Sequence, residues 1–162
     1  MRKLQQGVTL IELAIVMIIA SILGISAVLL WPNETRLHVT AQAQQLTNQI
    51  RYMQHYAATR HTALRVNFSS SQYSFTELDG TTAITDPSNN ASTVTMPSGI
   101  TLSTSNLPNS YIVFDSNGIP YINASLATAL AVSATITLSG TGVTGTISIS
   151  PQSGAVSKAV IS

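Results

Sequence analysis

The side chains able to do chemistry are few and poorly spaced for most of it. Of three histidines, His55 and His61 are six apart and His38 is remote, so no i,i+4 histidine pair exists to clasp a metal. Arg51 and His55 do share a helix face at that spacing. Glu77, Asp79, Asp86 and Asp115 are scattered through turn-like sequence, where carboxylates ordinarily sit, and are not paired for acid–base work. No G-x-S-x-G elbow is present, and "GTGVTG" has no following lysine or helix to cradle a phosphate. Without cysteine, neither a disulfide nor a thiolate metal site can form. The N-x-S/T triplets at Asn33, Asn67, Asn90 and Asn123 are expected by chance in so Ser/Thr-rich a chain. No catalytic residue, metal or cofactor is expected.

One ionisable residue is out of place. In "QQGVTLIELAIVMIIASILG" the carboxylate of Glu12 interrupts an otherwise greasy run. Residues 1–7, MRKLQQG, are polar and basic; residues 8–31 are apolar or small apart from Glu12, with Thr9, Ser21 and Ser26 as mild interruptions. At 1.5 Å per residue that run is about 36 Å of helix, enough for a bilayer core of ~30 Å. Arg2 and Lys3 on its N-terminal side predict a cytoplasmic start and an outward-facing remainder. A charge near the middle of such a helix costs roughly 2.5–3.5 kcal/mol, so something must offset Glu12. A secretory signal has a shorter apolar region ending at a small-residue cut site, whereas here "SILGISAVLLW" continues apolar past every candidate alanine. An uncleaved anchor explains the length and the basic flank but not the acid.

"RKLQQG" followed by "VTLIEL" resembles the N-terminus of type IV pilins and type II secretion pseudopilins. The resemblance implies cleavage after Gly7 by a prepilin peptidase, methylation of Val8 as the new N-terminus (the family's usual residue is Phe), and Glu12 as the fifth mature residue. It further implies that Glu12 meets the N-terminal amine of a neighbouring subunit in a filament. Pairing is what makes a buried charge tolerable, because opposite charges attract strongly at short range in low dielectric. Glu12 is thus expected to serve assembly, and cleavage to create its partner.

Trp31 and Pro32 mark where that helix would meet the membrane interface; Pro can kink a helix without ending it. Residues 32–61 continue as an amphipathic helix: Val39, Ala43, Leu46, Ile50, Met53 and Ala57 recur at helical spacing and make one apolar stripe. Gln42, Gln45, Asn48, Gln49 and Arg51 fall on other faces. Arg36, Arg51, Arg60 and Arg65 give this region a basic bias, read as a solvated or neighbour-contacting face.

Residues 62–162 change character. "ALRVNF", "QYSFTEL", "GITLS", "YIVFD", "IPYIN", "ATITLS", "GTISIS" and "GAVSKAVIS" are short, several alternating with period two, and separated by turn sequences such as "DGTT", "DPSNN" and "PQSG". Asn117-Gly118 predicts a hairpin, since both tolerate positive φ. Residues 81–105 are the least patterned and are expected to form a variable surface loop or weak strands. The expectation is an α+β fold: a long N-terminal helix packed on an antiparallel sheet, or two, with six to eight strands. Its core is expected at Leu64, Val66, Phe68, Tyr73, Phe75, Val113, Phe114, Ile136, Leu138, Ile147 and Ile149.

"YIVFDSNGIP", "ATITLS" and "GTISISPQSGAV" are similar to the GspH/FimT group of minor pilins and pseudopilins, the matching positions being Phe114, Gly118, Ile149, Ser153 and Gly154. The missing cysteines, and the lack of acids after Asp115, depart from major pilins and calcium-binding major pseudopilins and point to a low-copy subunit. The resemblance implies a minor subunit that initiates or caps a type IV pilus-like or type II secretion filament. Retention of Glu12 argues against the extreme tip position. Implied partners are other pilins, the prepilin peptidase, an inner-membrane assembly platform and the membrane itself. The implied location is the bacterial inner membrane, with the outer domain periplasmic, and then the filament or cell surface.

Charge adds little affinity for nucleic acid. Only 8% of residues are charged and the formal net charge is +1; without residues 1–7, five basic residues face six acidic ones. The rival role, a DNA-binding minor pilin of a competence pilus, wants an arginine-rich outer tail, yet after Arg65 the only basic residue is Lys158. A third possibility is an anchored adhesin-like domain outside any filament, its leader retained.

Overall fold

The protein is described by a computed structural model covering residues 9–29, 34–87, 90–157 and 159–162, with backbone alone at 25–29. It divides into two compact units, Met1–Asn33 and Glu34–Ser162.

In the first unit, helix α1 spans Leu10–Leu29. Thr9 caps it: the Glu12 amide donates to Thr9 Oγ1 at 3.4 Å and the Leu13 amide to the Thr9 carbonyl at 3.2 Å. A threonine followed three residues later by glutamate is the sequence signature of a capping box. Ser21 returns its hydroxyl proton to the Met17 carbonyl at 2.7 Å, which satisfies it inside an apolar helix. The large apolar side chains from Leu10 to Leu23 all stand at least half exposed.

The second unit opens with α2, Glu34–Arg60. The whole predicted stripe, Val39 through Ala57, is buried. The helix ends where His61 takes φ 54° and the Thr62 amide reaches back to the Ala57 carbonyl at 3.2 Å, a Schellman-type cap. Nine strands follow: β1 Leu64–Phe68, β2 Gln72–Glu77, β3 Thr93–Thr95, β4 Thr101–Ser105, β5 Tyr111–Phe114, β6 Pro120–Tyr121, β7 Ala134–Gly140, β8 Val143–Ile149 and β9 Val160–Ile161. They form two antiparallel sheets, ordered β3-β2-β1-β5-β6 and β4-β7-β8-β9.

Alternation along the strands puts one set of side chains inward. Leu64, Val66, Phe68, Tyr73, Phe75, Ile112 and Phe114 from the larger sheet meet Leu102, Ala134, Ile136, Leu138, Ile147 and Ile149 from the smaller one in a single core with the α2 stripe. Tyr73 and Phe75 pack edge to face, centroids 5.6 Å apart, the arrangement that aromatic quadrupoles favour.

Three expectations need adjusting. Val113 is buried, but it points away from the main core: it lies opposite Arg65 and Tyr121 on the other face of β5, and Ile112 takes the inward place. Of the two readings of residues 81–105, weak strands hold, as β3 and β4. Gln49, placed off the apolar stripe, is buried, as is Asp86, placed in turn-like sequence. In the β5–β6 hairpin only Gly118 adopts positive φ (76°); Asn117 does not. Asp115 shapes that turn, accepting from the Asn117 and Ile119 amides at 2.8 Å each.

Candidate functional site

Gly7 and Val8 lie outside the described residues; Glu12 is described, exposed, on the first turn of α1. A carboxylate there is favoured by the helix dipole by about 0.3–1 kcal/mol. That is smaller than the roughly 2.5–3.5 kcal/mol cost of a charge within a membrane helix. The dipole therefore offsets part of the cost of the Glu12 charge, and lipid around α1 would require a further partner for the rest. Among the described residues no helix is long and apolar enough to cross a membrane; the apolar run of the sequence, residues 8–31, extends beyond the described side chains at both ends.

The positions singled out in the outer domain converge on one joint. Gln54 of α2 donates its side-chain amide to the Gly118 carbonyl at 2.8 Å and to the Ser153 carbonyl at 2.9 Å. One side chain thus ties the β5–β6 turn of the larger sheet to the loop after β8 of the smaller. Gly154, at φ 64°, closes the joint: a Cβ there would lie 2.6 Å from Gln54 Nε2, 2.7 Å from the Gly118 carbonyl oxygen and 3.2 Å from the Phe114 ring. Phe114, Gly118, Ser153 and Gly154 therefore form one structural contact, while Ile149 is buried on β8 just before the loop. Gln54 was not legible, because a glutamine between apolar stripe positions reads as solvated surface.

A second polar assembly crosses the core. The Tyr73 hydroxyl donates to Gln49 Oε1, and Gln49 Nε2 donates to Asp86 Oδ2 at 2.6 Å. Burial, and then the nearby Asp86 carboxylate, push the Tyr73 hydroxyl far above the usual phenol range, so it remains a donor. The chain of bonds fastens the turn at Asp86 to the middle of α2.

The described arginines are engaged within the chain. Arg51 donates twice to the Val156 carbonyl, at 2.8 and 3.3 Å. Arg60 lies over the Tyr56 ring at 5.4 Å and Arg65 over the Tyr111 ring at 3.7 Å, both within cation–π range. Arg36 is not free either. Lys158 lies outside the described residues. The histidines do not converge, and among the described residues no cluster of three His, Asp or Glu side chains could hold a metal.

A long helix against two antiparallel sheets, with an acid at the start of an apolar leading helix, defines the pilin class of structural subunits. A family model described as "Type II transport protein GspH" matches residues 42–160, and one described as "Prokaryotic N-terminal methylation motif" matches residues 2–28. The protein belongs to the GspH family of the pilin and pseudopilin superfamily. Its fold is similar to that of the minor pseudopilin EpsH from the Type 2 Secretion System of Vibrio cholerae, with TM-score 0.57 and 13% identity over 74% of this chain and 94% of that one. It is likewise similar to the type IV minor pilin FimU of Pseudomonas aeruginosa, with TM-score 0.57 and 16% identity over 78% and 92%. No curated protein sequence matches the chain. Membership implies other pilin-type subunits as partners, processing at the N-terminal motif, and inner-membrane anchoring with a periplasmic domain. DNA binding finds no support in the family or in these neighbours.

Proposed function

We propose that this protein is a non-enzymatic minor subunit that helps initiate or cap a type IV pilus-like or type II secretion filament, entering it from the inner-membrane assembly platform. Prepilin peptidase cuts after Gly7, and the new amine of Val8 is methylated. Residues 8–31 then serve first as a membrane anchor and later as part of the filament core. In that core the Glu12 carboxylate pairs with the N-terminal amine of the adjacent subunit. The pair sets the register between neighbours.

The observation that carries this reading is the placing of Glu12 on the first turn of a helix whose large apolar side chains, Leu10 to Leu23, are all at least half exposed. Such a surface is stabilised by lipid or by neighbouring apolar helices, and an acid in it by a cation delivered with them.

The experiment is mass spectrometry of the mature N-terminus combined with a Glu12→Ala variant. The native chain is expected to begin at methylated Val8. Glu12→Ala is expected to insert in the membrane normally but to be depleted from filaments. A mature chain beginning at Met1, or wild-type incorporation of the variant, would overturn the reading.

A further inference from the structure

We infer that a cleft at one end of the smaller sheet is a docking site for an adjacent filament subunit, which inserts an aliphatic side chain from the base of its own outer domain. The inference rests on the filament reading above and assigns the contact surface that reading leaves open.

The cleft holds about 340 Å³ and is lined by the segments that follow β4, follow β6 and precede β7. Leu107 and Pro108, just after β4, form one wall; Ile122, after β6, and Leu130 to Val132, before β7, form the other. It is preformed. Asn106 at its rim donates from Nδ2 to the Ser133 carbonyl at 2.9 Å, joining the two walls. The Leu130 amide donates to the Pro120 carbonyl at 2.8 Å, and the Ile122 amide to the Thr128 carbonyl at 3.0 Å. No ionisable side chain lines it, so it favours an aliphatic insert over a charged one, whose desolvation nothing there would offset.

The complementary feature lies at the other end. Among the described residues of Glu34–Ser162, only Leu37, Val132 and Val160 are large apolar side chains that stand exposed. Val132 is the rim of the cleft itself. Val160 sits on edge strand β9, along the side of the sheet. Leu37 is on the first turn of α2, whose Glu34, Thr35 and His38 gather with Gly99 and Thr141 at the β3–β4 and β7–β8 turns. The cleft instead adjoins the Ala134 end of β7, and the helix start adjoins the Gly140 end. Seven residues of strand separate those ends by roughly 20 Å.

A knob and a cleft at opposite ends of one unit cannot meet within the chain. Between related units they make a heterologous, head-to-tail contact, which propagates as a filament instead of closing into a dimer. Burying one leucine side chain in such a cleft is the transfer from water that drives association. Leu37 is this chain's example of the insert that its neighbour would supply.

Because the chain contains no cysteine, a single introduced thiol is unique. Val132→Cys carrying a benzophenone maleimide, in the full chain within cells that assemble the filament, is irradiated and its adducts are digested and sequenced. The expected adduct is with a pilin-type subunit of another kind, at the first turn of its second helix. A Leu37→Cys probe is expected to capture the cleft loops of the subunit on the other side. Ala131→Asp, added to the Val132→Cys chain at the adjoining position of the same rim, keeps the fold, since the residue is exposed, and is expected to lower the Val132 adducts by about tenfold or more by placing a carboxylate in the joint. Adducts to lipid alone, to a protein outside the filament, or no adduct from chain recovered in filaments would overturn the docking site while leaving the filament reading intact. Absence of the chain from filaments, with its N-terminus still at Met1, would overturn both.

Discussion

The side-chain amide of Gln54 bonds the Gly118 carbonyl, and through that contact α2 holds the turn of one sheet against the loop of the other. The relationship gives a physical meaning to a pattern that runs from Phe114 to Gly154. The turn must present its carbonyl, the loop must pass within van der Waals distance of it, and only a residue without Cβ fits between.

Gly154→Ala is accordingly expected to be costly. The new methyl meets backbone and the Gln54 amide below 3.0 Å and also sits at φ 64°. Left-handed strain of about 1–2 kcal/mol and overpacking of about 1–3 kcal/mol act together. Gly142→Ala is the matched control: its φ is 70°, but a Cβ would meet nothing within 4 Å. Urea melts are expected to show the control losing only the strain. Equal losses would mean that the joint adds nothing.

Much of this architecture was legible in the sequence, and the exceptions share a cause. The α2 stripe and the β7–β8 pair were readable because six apolar positions at helical spacing, or alternating Thr and Ile, admit one solution each. Strand β3 was not, because three residues in a turn-rich stretch carry no periodicity; its place comes from pairing with β2. Adjacent Ile112 and Val113 are equally apolar, and only the register against Val66 and Arg65 decides which faces the core. The burial of Gln49 and Asp86 carries no sequence signal, because each polar group is admitted to the core only by its bond to the other. The cleft is built by loops from three parts of the chain, so no local pattern announced it.

The Tyr73–Gln49–Asp86 chain predicts alkaline sensitivity with a definite sign. The folded hydroxyl titrates above the unfolded phenol value of about 10. Its stabilising contribution is therefore fully present below pH ~10 and is lost as pH rises towards the folded value, at about 1.4 kcal/mol per pH unit. Tyr73→Phe is expected to be less stable at pH 8 by about 1–3 kcal/mol, since Gln49 Oε1 loses its donor. Its stability is also expected to fall less steeply above pH 10. Chemical denaturation from pH 8 to 11 reads both; parallel slopes for wild type and variant would refute the assignment.

Asp79 predicts the opposite end of the scale. Its carboxylate accepts from the hydroxyls and amides of Thr81 and Thr82, which hold its titration far below the ordinary carboxylate range. A depressed folded value means that stabilisation is present above pH ~4 and fades as pH falls through the folded value. Asp79 is fully exposed, so the effect is local: protection of the Thr81 and Thr82 amides, relative to their intrinsic exchange rates, is expected to fall as pH drops below ~3, and to be lost already at pH 6 in Asp79→Ala.

The leading helix offers a way to separate capping from pairing at one acid. Thr9 caps the start of α1, and losing its hydroxyl weakens the cap by about 0.5–2 kcal/mol, whereas the Glu12 carboxylate supports that turn through the helix dipole by about 0.3–1 kcal/mol. Only Glu12 carries a charge able to engage a neighbour's amine. Thr9→Val keeps size and removes the acceptor; it is expected to fray the first turn yet enter filaments at close to the wild-type level. Glu12→Gln keeps a side chain that can support the cap while discarding the charge; it is expected to be depleted from filaments nearly as strongly as Glu12→Ala. Quantitative immunoblotting of sheared filaments against the membrane pool gives the ratio for each variant. If Thr9→Val and Glu12→Gln were depleted alike, the acid would act through helix initiation, and pairing between subunits would not be needed to explain it.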